Sequence, residues 1–479
     1  MTPKLACLPL ILMLAGCISV GPHYEQPTAA TPAQWKNAAL IPSSTSASTT
    51  DLAHWWQAFN DPVLDRLITT TLAQNLDLKS AQAKLRESRS RAAMTDAALY
   101  PSVTANAGAK RSEAHTDANP TKSFNAGLDA SWELDIFGAN RRASEAAIAT
   151  VSATQASLHD TEVSLIAEVA NVYISLRTLE ARYAAAQSSL VSQQETLDLT
   201  RWRWQAGLVS ELDYIQAEST LAQTRAKLPS LDVQLESARN QLTVLLGVQP
   251  AALPDLLAGT GQIPDFSNVT ALPIPLDTLR QRPDIRVAER NLAAQTAQVG
   301  AAEAARYPTI DLSGTIGLQS AQLGQLLRAD SLINSLAASL TAPIFDAGKI
   351  RSNIAVQNAV LDQTMATYQK TVLQALADVE NALMALAKTE ARRTDLRAAS
   401  AAAETAQTMA QQNYAAGLTD YLTVLDTQRT LLSVQDSLRS AEGDRASALV
   451  QLYKALGGGW TSATAEAVTL NQAGEARHD

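Results

Sequence analysis

Cys17 is the one residue in this chain whose neighbours give it a definite chemistry. Lys4 supplies a positive start, Leu8 to Leu14 a short apolar stretch, and the run closes Leu14-Ala15-Gly16-Cys17. Small residues before a cysteine at the end of a short apolar segment form the cleavage pattern of a bacterial lipoprotein signal. Cleavage before Cys17 creates a new N-terminus that can carry acyl chains on both its sulfur and its amine. Several buried chains anchor a protein stably where one chain is marginal. Cys7 leaves with the signal, so the mature chain keeps one cysteine, and that one is lipidated.

The other reactive side chains form no constellation. The histidines, at 23, 54, 115, 159 and 478, have no metal-ligand spacing. No Gly-rich phosphate loop and no nucleophile elbow occurs, and two cysteines build neither a disulfide framework nor a zinc site. The sequence therefore predicts no enzyme, no metal, and no cofactor beyond the covalent lipid on Cys17. Trp55-Trp56 is expected to pack against a helical wall, and Arg282-Pro283-Asp284 to start a helix.

Composition shows what the anchor must hold. Of 479 residues, 46% are hydrophobic but only 5% aromatic, and the mean hydropathy is -0.07. Small aliphatic residues thus dominate, which favours long Ala/Leu helices over an aromatic enzyme core. A formal charge of -9 and a pI near 5.2 argue against nucleic acid as a partner. No apolar run reaches the roughly 18 residues of a membrane-spanning helix, so a multi-helix inner-membrane transporter is excluded.

The chain is written twice. Tyr100-Pro101-Ser102-Val103 returns as Tyr307-Pro308-Thr309-Ile310, 207 residues later. Asp135-Ile136-Phe137-Gly138 answers Pro343-Ile344-Phe345-Asp346 at 208, and Trp204-Gln205-Ala206-Gly207-Leu208 answers Tyr414-Ala415-Ala416-Gly417-Leu418 at 210. Each copy reads helix, two strands, very long helix, Gly turn, long helix. The drift from 207 to 210 predicts about three extra residues in the second long helix, a stammer in heptad terms. The first long helix can run from Ala143 to Gln205 without Pro or Gly, roughly 95 Å at 1.5 Å per residue, so an elongated molecule is expected. Its seam is Leu165, Val169, Val172, Leu176, Leu179 and Tyr183, a coiled-coil spacing, answered at offset 207 by Val372, Leu376, Val379, Leu383 and Leu386. Pro229 should bend the returning helix.

The segments between the helices alternate with period two. Phe124, Ala126, Leu128, Ala130, Trp132 and Leu134 point one way, and Ser123, Asn125, Asp129, Ser131, Glu133 and Asp135 the other. Ile310, Leu312, Ile316 and Leu318 oppose Thr309, Asp311, Ser313 and Thr315. Strands of about 9 to 13 residues suit a tilted membrane strand. An uncharged face set against a carboxylate-bearing one suits lipid outside and water within. Four strands cannot close a barrel, since about eight are needed even to enclose side chains, and open edges are not tolerated in lipid. A barrel shared between chains follows, with three copies giving 12 strands.

These residues resemble the outer-membrane factors, the TolC-like channel-tunnels, and within them the NodT-type lipoprotein branch. The motifs are the Leu14–Cys17 lipobox, Val20-Gly-Pro-His-Tyr24-Glu-Gln-Pro27, Trp55-Trp56-Gln-Ala-Phe59-Asn-Asp61-Pro62, Arg282-Pro-Asp-Ile-Arg286-Val-Ala-Glu289 and the two Gly-Leu tips. The resemblance implies a mainly α chain with a small β part. Two tandem repeats build helical hairpins into an α-barrel, plus four strands per chain in a homotrimeric 12-stranded outer-membrane β-barrel. It implies export driven by an inner-membrane pump of the RND type through a periplasmic adaptor. No Asp follows Cys17, which among lipoproteins points to the outer membrane. The domain reading is a signal peptide at 1–16, an acylated segment and linker at 17–60, a first repeat at 61–250, an equatorial connector at 251–275, a second repeat at 276–460 and a disordered tail at 461–479. The strands are placed at about 101–112, 122–136, 308–319 and 332–344, with hairpin tips at 207 and 417. Carried over by resemblance, Gly207, Leu208, Gly417 and Leu418 meet the adaptor, and Asp213, Tyr414, Leu422 and Asp426 form the periplasmic gate. Thr419 and Thr423 stand where the family also uses an Arg and a second Asp. A rival reading is a lipid-anchored periplasmic coiled-coil adaptor or scaffold that never spans the membrane.

Overall fold

Asp61 shows how the first helix begins. Its Oδ1 accepts the amides of Val63 at 2.8 Å and Leu64 at 3.3 Å, and Pro62 fills the first helical position, where a missing N–H costs nothing. Helix α1 spans Pro62–Gln74 and α2 Leu76–Asp96. Strands β1 (Ser102–Ser112) and β2 (Thr121–Leu134) follow, then α3 (Ala139–Gln205) and α4 (Glu211–Leu246). The second copy repeats the order with α5 (Pro283–Ala304), β3 (Thr309–Ser320), β4 (Leu332–Thr341), α6 (Lys349–Ala415) and α7 (Tyr421–Ala455). This computed structural model describes residues 19–27, 32, 34–40, 52–113, 120–259, 261–266 and 281–460. The signal peptide, Cys17, residues 41–51 of the linker, the connector beyond Phe266 and the tail at 461–479 lie outside the described residues. Among the described residues no helix is long and apolar enough to cross a membrane.

The chain divides into two units, and α3 and α6 contribute residues to both. One unit holds residues 83–156 and 284–371 with the N-terminal segment. Its centre is an antiparallel sheet in the order β1-β2-β3-β4. The register stacks Ala105, Leu128, Ile316 and Asn334 in one row, and Val103, Ala130, Gly314 and Leu336 in the next. Leu128, Ile316, Leu332, Leu336 and Leu340 are all exposed on this face. The opposite face is polar and bonded to itself. Asp129 accepts from Asn106 and, at 2.8 Å, from Thr315, while Asn125 donates to Asn106 at 2.9 Å. One expectation is corrected: the apolar face is not free of charge. Arg111 and Lys122 pair on it at the hairpin end, where long cationic stems can lie along apolar surface with their heads in water.

The N-terminal segment is clasped onto this unit. Val20 donates to the Phe137 carbonyl at 3.2 Å, Arg142 Nε and Nη2 reach the carbonyls of Val20 and Gly21 at 3.1 and 3.3 Å, and Tyr24 donates to Glu289 at 2.9 Å. Gly21, at φ +92°, lies so close to Gly300 that a Cβ would sit 2.3 Å from its Cα.

The other unit, residues 30–82, 157–283 and 372–479, is helical. The stripe Leu165, Val169, Val172, Leu176 and Leu179 of α3 is buried as expected. In the expected α6 stripe Val372, Val379, Leu383 and Leu386 are buried and Leu376 is half-buried; what is corrected is the offset. Helices α3 and α6 both have 67 residues and start and end 210 apart, so no stammer exists. The seam's partners are Ala375, Val379, Ala382 and Leu386, all buried. A 3-4 spaced stripe shifted by three falls on its own neighbouring row, and two small alanines leave a faint hydrophobic signal, which together disguise the offset. The extra residues lie before the helix: Phe137 abuts Gly138, whereas Asp346-Ala347 separates Phe345 from Gly348. Helix α4 runs through Pro229 without interruption.

Polar and aromatic contacts bind the helices together. Gln411 donates to Ser192 at 2.7 Å and Gln428 to Thr196 at 2.9 Å. Trp55 is buried and stacked 5.4 Å from Tyr453, so the Trp pair packs as expected. Arg445 lies 3.7 Å over the Phe266 ring and binds Asp265 at 2.5 Å and Glu390, tying the connector's described start to α7 and α6. Gly443 lets α7 touch α3, since a Cβ there would sit 2.2 Å from Thr178 Oγ1. Gly443→Ala should therefore destabilise the protein by about 1–3 kcal/mol through overpacking. Thr178→Ala in the same chain should recover part of that, read by thermal denaturation in detergent; strictly additive losses would show that the close approach is not the cause.

Candidate functional site

Each hairpin tip is built from the same local chemistry. At the end of α3, Gly207 takes φ +73°, its amide bonds the Trp204 carbonyl at 2.8 Å, and Leu208 bonds the Arg203 carbonyl at 2.8 Å. At the end of α6, Gly417 takes φ +75°, bonding Tyr414 at 3.0 Å while Leu418 bonds Asn413 at 2.8 Å. Both are Schellman ends, which satisfy the last helical carbonyls and ask for a left-handed residue. A Cβ on Gly207 would meet nothing within 4 Å, so conformation rather than space selects glycine there. Leu208 and Leu418 are 68% and 77% exposed.

The following helices are capped differently. Ser210 and Asp213 form a reciprocal box: Ser210 Oγ accepts the Asp213 amide at 3.2 Å, and Asp213 accepts the Ser210 amide at 3.1 Å. Asp420 accepts the Thr423 hydroxyl at 2.7 Å and its amide at 3.0 Å, and these bonds, the hydroxyl first, hold its carboxyl below the usual range. Thr419 donates to Thr423 at 3.1 Å, so both threonines are absorbed into the start of α7.

The four expected gate residues do not form one surface. Leu422 and Asp426 sit one turn apart on the exposed face of α7. Tyr414 is only 1% exposed and belongs to a core cluster with Ala217, Ala410, Tyr421, Val424 and Leu425. Its hydroxyl donates to Thr200 at 3.1 Å. Asp213 turns back onto its own helix end. In the single chain Tyr414 is a buried phenol and Asp213 an engaged capping carboxylate, so both brace the tips, while Leu422 and Asp426 stand exposed. Burial also pushes the neighbouring Tyr421 hydroxyl up to about 12.

Arg203 is a functional neighbour that sequence reasoning misses. Its guanidinium lies 4.7 Å over the Tyr414 ring and donates to the Tyr414 carbonyl, joining the end of α3 to the end of α6. A cation in the last turn of a helix is its only signal. The Ser210-x-x-Asp213 spacing is a legible capping signature. The first tip also carries exposed Trp202 and Leu212, beside a Trp204–Tyr214 stack at 5.1 Å.

Comparison with known proteins decides what these hairpins belong to. Residues 67–248 and 274–458 match the family described as outer membrane efflux protein. The chain belongs to that family. The solvent efflux pump outer membrane protein SrpC of Pseudomonas putida is 33% identical, with 96% of this chain and 99% of that protein covered. Nodulation protein T of Rhizobium leguminosarum bv. trifolii is 31% identical over 94% of this chain and 96% of its own length. The solved outer-membrane channel OprN superposes with a TM-score of 0.86 at 34% identity, covering 92% of this chain and 99% of that one. This efflux protein is thus an outer-membrane channel component with a large periplasmic part, and its four strands are one chain's share of the β-barrel.

In the efflux protein the second tip is held by the Tyr414 pocket. Tyr414→Ala should cost about 3–5 kcal/mol of local stability, as for other buried aromatics. Cleavage by a broad-specificity protease in the 415–420 turn should rise at least about tenfold, while Tyr414→Phe should lose only about 1 kcal/mol with the hydroxyl bond. Equal cleavage of both variants and the parent would remove Tyr414 from this role.

Proposed function

We propose that three copies of this chain form the passive exit duct of a tripartite efflux system, fed by an RND-type inner-membrane pump through a periplasmic adaptor. The observation that carries this reading is the four-stranded sheet with one largely apolar face, on which Leu128, Ile316, Leu332, Leu336 and Leu340 stand exposed, and two edge strands. Such a sheet cannot close alone, and a hydrocarbon environment does not accept open edges. The non-spanning scaffold reading leaves that face without a purpose.

Within this duct the exposed leucines at the Gly207-Leu208 and Gly417-Leu418 turns offer apolar contacts to the adaptor's helical hairpins. Leu422 and Asp426 become two rings of three at the periplasmic mouth. A leucine ring resists wetting, and an aspartate ring favours cations over anions. Acyl chains on Cys17 fasten the mature N-terminus to the outer membrane.

Purified protein should run in detergent at the mass of three chains and conduct ions across a planar bilayer; a monomeric mass without conductance would sink the proposal. Asp426→Ala should lower the cation preference several-fold at low salt and lengthen open times. The difference should shrink in 1 M salt, where the screening length is ~3 Å. Unchanged selectivity would remove Asp426 from the gate. Cys17→Ser should abolish incorporation of labelled palmitate, and retained label would place the acylation elsewhere.

A further inference from the structure

Two cations stand where the lipid-facing surface of the sheet ends. On β2 the apolar face runs from Leu134 to Phe124, ten residue steps without a charge on that face. At about 3.3 Å per residue and a tilt of about 40°, those steps rise about 25 Å, which is about the height of the apolar band of an outer-membrane barrel. The next position on the same face is Lys122. On β1 the face runs Val103, Ala105, Ala107 and Ala109, and the next position is Arg111. The register sets Arg111 directly opposite Lys122, so both strands change from apolar to cationic at one level.

That level lies at the end away from the helices. Strand β1 follows α2 and β2 passes into α3, so the Ser112–Thr121 end of the hairpin points away from the periplasmic part. The helix-side end is finished differently: there Trp132, on the apolar face, donates its indole N–H to the Leu99 carbonyl at 3.0 Å. Like charges directly opposite on a sheet repel. Arg111 is matched by Glu113 at 2.5 Å, with both side chains 62% exposed. An ion pair so exposed holds weakly, and a guanidinium keeps donors for a second acceptor. Among the described residues Lys122 has no carboxylate partner.

We propose that Arg111 and Lys122 of each chain together hold a phosphate of a lipid headgroup in the outer leaflet. This rests on the shared-barrel reading above and adds a ligand to its outer rim. The outer leaflet of this membrane is built from phosphorylated glycolipid, whose heads lie where the apolar band stops. Arg111 supplies a planar fork that matches phosphate oxygens, and Lys122 a point charge from the neighbouring strand. Opposite positions lie about 5 Å apart at Cβ, so two long side chains reach one phosphate. The acyl chains of the same lipid run down the face below, over Phe124 and Leu128. Lys110 points to the polar face and takes no part.

Native mass spectrometry of the full-length protein in detergent, with lipid A added, tests the site. The diphosphorylated lipid should stay bound at up to three copies per trimer. Arg111→Gln with Lys122→Gln should weaken retention at least about tenfold, while Lys122→Arg should keep it. Lys110→Gln removes a cation from the same end but the other face, and should leave retention unchanged. Lipid A stripped of both phosphates should not be retained, and millimolar inorganic phosphate should not displace the intact lipid. Retention that survives the double substitution, an equal loss with Lys110→Gln, retention of the phosphate-free lipid, or displacement by inorganic phosphate each overturns the proposal. Where any of these is found and the parent protein is trimeric and conducts, the lipid site falls and the duct stands. A monomeric parent without conductance overturns both.

Discussion

A backbone N–H or C=O inside hydrocarbon has no partner except another backbone group, and this constraint governs the rest of the molecule. A helical chain meets it with runs of about 20 apolar residues, and this chain has no such run. It meets the constraint with strands instead, and strands transfer the problem to the sheet's edges. Four strands leave β1 and β4 with an open side each. The apolar face, the polar face that bonds to itself through Asp129, Asn106 and Asn125, and the aromatic residues at the strand ends all make sense once those edges are completed by other copies.

The helical unit answers a different demand. Its seam is built from small and aliphatic residues, Ala375, Val379, Ala382 and Leu386 on α6 against the fuller stripe of α3. Alanines and Gly443 allow close helix approach. The energy lost with large side chains is offset by hydrogen bonds such as Gln411 to Ser192 and Gln428 to Thr196, each contributing roughly 1 kcal/mol net. Low aromatic content follows from this, because thin walls have little interior for rings. The aromatics that do occur are set at junctions: Trp55 on Tyr453, Phe59 on Phe266, Trp204 on Tyr214.

Period and repetition make most of this fold legible in the amino-acid sequence. Strict alternation in β2 and β3 displays the two faces, and the Gly207 and Gly417 turns are visible as breaks in long proline-free stretches. What stays hidden is which neighbour each face meets. Tyr414 lies beside a tip in sequence, and resemblance makes it a gate residue, but its ring points into a pocket completed by Thr200 and Arg203 from α3. No local pattern encodes a contact across more than 200 residues. The heptad offset misleads for a related reason: a stripe that repeats every seven residues in steps of three and four reads nearly the same after a shift of three. The equal lengths of α3 and α6 and their ends 210 residues apart fix the true alignment.

The two copies diverge in a place that the open edge explains. Within the sheet, β2 passes to α3 through Phe137 and Gly138 without an insertion, and Phe137 is covered by Tyr307 of the adjoining strand. After β4 the chain adds Asp346-Ala347 before Gly348, with Ala347 at φ +53° and Asp346 accepting the amides of Gly348 and Ile350. Those two bonds cap the start of α6. The junction facing another strand of its own chain is therefore tight, and the junction at the open edge is longer and leaves Phe345 bare. A duplicated unit that had stayed a closed object would have no reason to treat its two strand-to-helix passages differently. One that meets a second copy at β4 does, because there the passage faces another chain's strand instead of its own.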